Sequence, residues 1–113
     1  MNKGDFNFQK DTVYKIEFER AYRPGDSGVI IASFIEETKW HMEFGHAYDI
    51  NKERTTCGRI GLMWEDIKSV SEPTDEEFYA WKKNCALFMA SILSEKSDPC
   101  FEDISKTKKY GRE

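Results

Sequence analysis

The stretch from Thr74 to Glu95 reads TDEEFYAWKKNCALFMASILSE, and it decides the fold predicted for the rest of the chain. Thr74 followed three residues later by Glu77 is a capping box, in which each side chain bonds the other residue's backbone amide at the start of a helix. Acidic residues at Asp75, Glu76 and Glu77 also complement the positive end of the helix dipole. We therefore predict one helix over residues 74–95, capped at Thr74.

The predicted helix carries a broad apolar stripe. Apolar side chains recur at spacings of three and four residues, at Phe78, Trp81, Cys85, Phe88 and Ile92, with Met89 and Leu93 widening the stripe. Such a stripe needs an apolar partner surface, and the residues before it are the ones able to build it. We expect the helix to cover a sheet, which leaves the opposite sheet face and the loops for binding. If the stripe were exposed, the helix itself would be the interface of a homodimer.

The residues before the helix alternate between apolar and polar positions, as half-buried strands do. The clearest alternation runs from Thr12 to Arg20, whereas Val29 to Ile35 is apolar on both faces and predicts a central strand. A third strand is predicted from Trp40 to Tyr48, with a bulge or bend at Gly45, and a fourth from Thr55 to Trp64. A single helical turn and a short strand are expected to follow, up to residue 71.

The predicted fold class is α+β, in one domain over residues 1–113. A curved antiparallel sheet of about five strands over residues 12–71, which could close as a small SH3-like barrel, packs against the long helix. Asp98 and Pro99 predict a short second helix over residues 98–105. Residues 1–10 are predicted as an arm or an edge strand, and residues 106–113 as a mobile polar tail.

Composition and charge exclude several classes of protein. With 113 residues and 14% aromatics, the chain can bury a core without metal or disulfide staples. The 21 acidic and 17 basic residues are interleaved and give a net charge of −4, which argues against nucleic-acid binding. No apolar run reaches about 18 residues, so we expect no membrane partner. The odd, widely spaced cysteines, Cys57, Cys85 and Cys100, favour a cytoplasmic location.

Candidate chemistry is sparse. If a bulge at Gly45 reverses the strand phase, His41, Glu43 and His46 could converge as a metal or small-ligand site. Their spacing matches no established zinc signature, so we favour exposed polar positions for them. Carboxylates are abundant, but the sequence singles out none as an acid or base. We assign no catalytic residue and no cofactor.

Aromatic residues are the more informative candidates for a binding surface. Tyrosine, tryptophan and arginine dominate interface hot spots, because each removes much surface from water while keeping a polar group. We predict binding residues at Tyr22, Trp40, Tyr48, Arg59 and Trp64. The alternative for Trp40 and Trp64 is a core position facing the helix.

These observations lead to two hypotheses of function. The first is a non-enzymatic module that binds another protein, such as a small regulator or inhibitor encoded by a bacterium or a mobile element. The second is a small-ligand or metal-binding protein that uses His41, Glu43 and His46.

Overall fold

The structure is a computed structural model that describes residues 1–55, 59–93 and 107–111, with the backbone alone for residues 88–93. Its strands and helices are β1 (Thr12–Glu19), β2 (Ser27–Glu37), β3 (Met42–Asp49), β4 (Arg54–Thr55), β5 (Arg59–Leu62), a 3-10 turn (Trp64–Asp66), β6 (Ile67–Ser71), α1 (Asp75–Leu93) and β7 (Lys108–Lys109). The predicted helical turn followed by a short strand is therefore present.

The strands form one curled sheet in the order β4-β3-β2-β1-β6, with β5 also paired to β3 and β7 to β1. The β1–β7 ladder is parallel and the other ladders are antiparallel. This arrangement is a half-barrel with one helix packed against it, which confirms the predicted α+β class. Within the described residues no ladder joins β5 to β6, so the sheet stays open on that side.

One face of the sheet is filled by the N-terminal arm. The main core cluster contains Tyr14, Ile16, Phe18, Ile30, Ala32, Met42, Phe44, Ala47, Leu62 and Ile67. The Phe8 ring lies 5.0 Å from the Tyr14 ring and 5.3 Å from the Phe44 ring, measured between centroids. Residues 1–10 contain no strand, so the arm, not the edge strand, is the alternative the structure adopts.

Helix α1 covers the other face of the sheet. Trp81 and Cys85 are fully buried there with Val13, Ile31 and Tyr48. The Trp81 Nε1–H donates a 2.8 Å hydrogen bond to the backbone carbonyl oxygen of His46, which ties the helix to β3. The arm and α1 therefore cover the two faces of the sheet, so a partner cannot bind directly to either covered face.

The predicted capping box sets the start of α1. The Thr74 amide donates to Glu77 Oε1 at 2.8 Å, and the Glu77 amide donates to Thr74 Oγ1 at 3.1 Å. The helix begins at Asp75 as predicted and is described as far as Leu93. The last two residues of the predicted helix, and the whole of the predicted short helix over residues 98–105, lie outside the described residues.

The predicted bulge in β3 lies one residue beyond Gly45. Ser33 pairs with Gly45 and Ile31 pairs with Tyr48, so β3 holds one more residue than β2 between these pairs. His46 adopts a positive φ of 52° at this point. Gly45 pairs in register with Ser33, and a Cβ added at Gly45 would lie 3.1 Å from the Cδ1 methyl of Ile35.

The predicted mobile tail needs a correction over residues 107–111. Lys108 and Lys109 form strand β7, which pairs with Thr12 and Val13 of β1. Sequence pattern alone favours a solvated tail for such a polar segment. The contact that holds Lys109 is with the Glu72 carboxylate. Glu72 is 37 residues away from Lys109 along the chain, and its carboxylate lies 2.6 Å from the Lys109 ammonium group.

We predict that Trp81→Phe lowers the free energy of unfolding by about 1–3 kcal/mol, because a buried carbonyl loses its donor. Trp40→Phe should change it by less than about 0.5 kcal/mol, since Trp40 is exposed. Urea unfolding followed by circular dichroism measures both. Equal losses in the two variants would contradict the assignment of Trp81 to the core.

A second prediction concerns acid stability. Burial raises the pKa of the Glu77 carboxyl, but hydrogen bonds from the Lys15 ammonium and the Thr74 amide outweigh it, so the pKa lies below its ordinary value of 4.5. The unfolded chain therefore binds this proton first, and the stabilisation is lost as pH falls below about 4.5. Glu77→Gln should destabilise the protein by about 0.5–1 kcal/mol at pH 7 and by less at pH 3.

The matched control is Glu76→Gln, one residue away and exposed. Urea unfolding at the two pH values measures the free energy of unfolding. Its change between pH 7 and pH 3 should be smaller than in the unsubstituted chain only for Glu77→Gln. A pH dependence identical to that of the unsubstituted chain would contradict the role of the Lys15–Glu77 pair.

Candidate binding surface

Trp40 projects from the tight turn between β2 and β3. The Thr38 amide donates to the His41 carbonyl oxygen at 2.7 Å, and the Thr38 hydroxyl donates to the same oxygen at 2.9 Å. The Thr38 hydroxyl also accepts from the amides of Trp40 and His41, at 3.3 and 3.2 Å. This turn is therefore held by its own hydrogen bonds, while the Trp40 side chain is 75% exposed.

Beside this turn lies an open groove of about 290 Å³. Trp40 forms part of its wall, and the remaining lining residues are Met1, Asn2, Lys3, Met63, Trp64 and Glu65. Trp64 is half-buried, and its Nε1–H donates to Glu37 Oε2 at 3.2 Å. The structure thus brings two of the predicted binding residues, Trp40 and Trp64, to one groove.

Asp66 anchors the turn that carries Trp64. This side chain is fully buried, and its two oxygens accept the backbone amides of Ala21 and Met63, each at 2.9 Å. Arg20 lies 3.6 Å from the same carboxylate and also donates to the Gly61 carbonyl oxygen at 2.5 Å. A buried carboxylate needs such partners, since an unpaired one costs several kcal/mol or more.

The sequence analysis singled out no carboxylate and therefore missed this role of Asp66. The available signal was its position at the third residue of a predicted one-turn helix, where an acidic side chain can reach back to a backbone amide. The hydrogen bond from the Ala21 amide to Asp66 joins the β1–β2 loop, which carries Tyr22, to the 3-10 turn that lines the groove. The Tyr22 side chain is 68% exposed in that loop.

Arg59 belongs to a charged cluster on β2, β3 and β5. It lies 2.6 Å from Glu43 and 3.7 Å from Glu36, and His41 Nε2 lies 3.3 Å from the other oxygen of Glu43. The hydrogen bond from Arg59 lowers the pKa of the Glu43 carboxyl. The His41 ring lies over Gly61, where an added Cβ would come within 2.8 Å of it. Arg59 is thus placed by contacts within the sheet.

Tyr48 requires a correction, because it is only 8% exposed. It packs beneath α1 with Val13, Ile31, Trp81 and Cys85, so its ring is not on the surface to which we predicted it would contribute. The bulge at His46 explains why the Tyr48 ring lies on this side of the sheet. One added residue shifts the phase of β3, which directs Tyr48 to the helix side of the sheet.

The structure does not assemble the alternative metal site. His41 and Glu43 are adjacent, but His46 is buried in the bulge, and its carbonyl oxygen faces Trp81 and Cys85. Across residues 1–55, 59–93 and 107–111, no three histidine, cysteine or acidic side chains are grouped so as to hold a metal ion. Burial raises the pKa of the Cys85 thiol to about 12, so this cysteine is a poor nucleophile.

Comparison with protein-family models, with curated proteins and with solved structures finds no match for this chain. In the part of the chain that the structure describes, no helix combines the length and apolar character needed to span a membrane.

The exposure of the tryptophans can be tested by fluorescence quenching. We predict that Trp40→Phe lowers the acrylamide quenching constant, because it removes the most exposed indole. Trp81→Phe should raise the same constant, since it removes the fully buried indole and leaves the exposed one to dominate. A Trp40→Phe variant that is quenched as strongly as the unsubstituted chain would contradict the exposed position of Trp40.

Proposed function

We propose that the chain is a protein-binding module whose contact surface is centred on Trp40 and the adjoining groove. The observation that carries this proposal is a large aromatic side chain, three-quarters exposed, on a turn with a fixed backbone. The proposal extends to a small regulator or inhibitor that acts by occupying the surface of another protein.

The exposed area of Trp40 is large enough to contribute substantially to binding. An aromatic side chain buries about 150–250 Å², and each Å² of apolar surface removed from water is worth about 25 cal/mol. Because only three-quarters of Trp40 is exposed, covering it would contribute about 3–5 kcal/mol before the costs of association are counted. An exposed tyrosine, Tyr22, lies in the loop anchored at the same turn as Trp64 and Glu65.

The fixed turn lowers the cost of binding. Four hydrogen bonds involving Thr38 hold the backbone on either side of Trp40 before any partner arrives. A preorganised contact loses less conformational entropy on association than a mobile one. Lys39 adds to this order, because its ammonium group lies 5.1 Å from the centre of the Trp40 ring.

The surroundings of Trp40 have the composition of an interface rim. Lys3 and Glu37 form an exposed ion pair at 3.9 Å, and Lys3 and Glu65 both line the groove. A polar rim around an aromatic centre is the usual arrangement in protein–protein interfaces. Both signs of charge are present, which suits a protein surface better than a polyanion.

We predict that an immobilised copy of the chain captures one partner in stoichiometric amount from a lysate of its source cells. Trp40→Ala should weaken binding of that partner by about 30-fold or more, the effect of losing a hot spot worth about 2 kcal/mol. Calorimetric titration with the purified partner measures the change.

The matched control is Tyr79→Ala, which removes an aromatic side chain of similar exposure from α1. It should leave the affinity within about threefold of the original, as expected for a surface position outside the contact area. An affinity unaffected by Trp40→Ala, or lost equally in both variants, would refute the proposed surface.

A further inference from the structure

The segment of residues 107–111 binds the rest of the molecule in the way that a peptide ligand binds a sheet edge. The Lys108 amide donates to the Asp11 carbonyl oxygen, and the Tyr110 amide donates to the Val13 carbonyl oxygen, both at 2.9 Å. These bonds pair a short parallel strand with the edge of β1. Adding a strand to an exposed edge is a recurring mode of peptide recognition, in which backbone bonds give affinity and side-chain pockets give specificity.

The first specific contact of this segment is made by Lys109, whose side chain is only 8% exposed. Its ammonium group lies 2.6 Å from Glu72 and 3.4 Å from Asp75, and it donates to the Pro73 carbonyl oxygen at 3.0 Å. An ammonium group donates three hydrogen bonds, and this cradle offers three oxygen partners. The site therefore recognises the charge and length of a lysine.

Tyr110 and Gly111 supply the second and third specific contacts. The Tyr110 ring lies 4.9 Å from the Tyr14 ring and 5.5 Å from the Phe6 ring, so an aromatic side chain is selected at this position. Gly111 has a φ of +93°, and an added Cβ would come within 2.5 Å of the Glu72 carboxyl group. A larger residue would strain the backbone and displace the partner of Lys109.

We propose that the edge of β1 at residues 11–13, together with Glu72, Pro73 and Asp75, is a recognition site for Lys-Tyr-Gly segments, and that residues 107–111 of a second copy of this chain occupy it by exchange. The site contacts three consecutive residues, which are a lysine, an aromatic residue and a glycine. It shares no residue with the groove beside Trp40, so the inference is independent of the proposed function.

The occupant that we infer is a second copy of this chain. Each molecule carries both the site and the segment that fits it, and they are joined by non-covalent contacts. Exchange between two copies reproduces every one of these contacts, which is the condition for segment swapping at low energetic cost. The chain's own segment competes for the site at a high effective concentration. A segment from a second copy should therefore replace it more often as the protein concentration rises.

The site is tested first with a peptide. The full-length Lys109→Ala variant weakens the internal segment and leaves Glu72 and Asp75 intact, and circular dichroism checks its fold. A fluorescein-labelled peptide with blocked ends, Thr-Lys-Lys-Tyr-Gly, should bind this variant saturably and at least tenfold more tightly than it binds the unsubstituted chain. Should Lys109→Ala fail to fold, the Gly111→Ala variant serves as the host, because its added Cβ weakens the same segment while the sequence of the site is unchanged.

The control peptide replaces the lysine that corresponds to Lys109 with alanine, and it should bind at least tenfold more weakly. Absence of saturable binding to a folded host, or equal binding of the two peptides, would overturn the recognition site.

Exchange between copies is tested by mixing two full-length variants. The Lys109→Ala variant keeps an intact recognition site but has lost the lysine of the segment 107–111. The Glu72→Lys variant keeps an intact segment, but its recognition site repels Lys109. Light scattering should show a dimer that grows with concentration in the mixture and exceeds that of either variant alone. A mixture that stays monomeric at millimolar concentration would overturn the role of a second copy, even if the peptide binds.

Discussion

Strand β2 is buried on both faces, and the other parts of the structure are arranged to meet that requirement. Ile30 and Ala32 contribute to the cluster filled by the N-terminal arm, while Ile31 packs under α1. Leaving either face in water would cost about 25 cal/mol for each Å² of apolar surface. The arm and the helix are therefore structural necessities, and they leave neither of these sheet faces open for recognition.

Polar side chains hold those loops by bonding to backbone groups. Asp66 joins the β1–β2 loop to the 3-10 turn, and Thr38 holds the turn that carries Trp40. Both devices satisfy backbone groups that would otherwise lack partners. They also give the groove a defined shape before a partner binds, which connects the packing of the half-barrel with its proposed role in recognition.

The edge of β1 is covered in two parts. Residues Lys15 to Phe18 pair with β6, and Thr12 and Val13 pair with β7. An uncovered edge presents unpaired amides and carbonyls to other chains, so covering it limits aggregation. The short parallel strand at Thr12 protects the edge through a segment that also carries a buried lysine.

The sequence by itself determined the features that depend on near neighbours in the chain. The capping box at Thr74, the alternation in β1, the two-sided β2 and the turn before β6 follow from residues a few positions apart, so their patterns could be read directly. Tertiary structure alone decided which aromatic side chains are buried and how residues 107–111 pair with the sheet. Trp40 and Tyr48 lie on one predicted strand, yet Trp40 is exposed because it lies in the turn before β3, and Tyr48 is buried because it lies under α1. Likewise, Lys109 is buried because Glu72, distant in the chain, lies beside it in space, and such a contact leaves no periodic signal in the sequence.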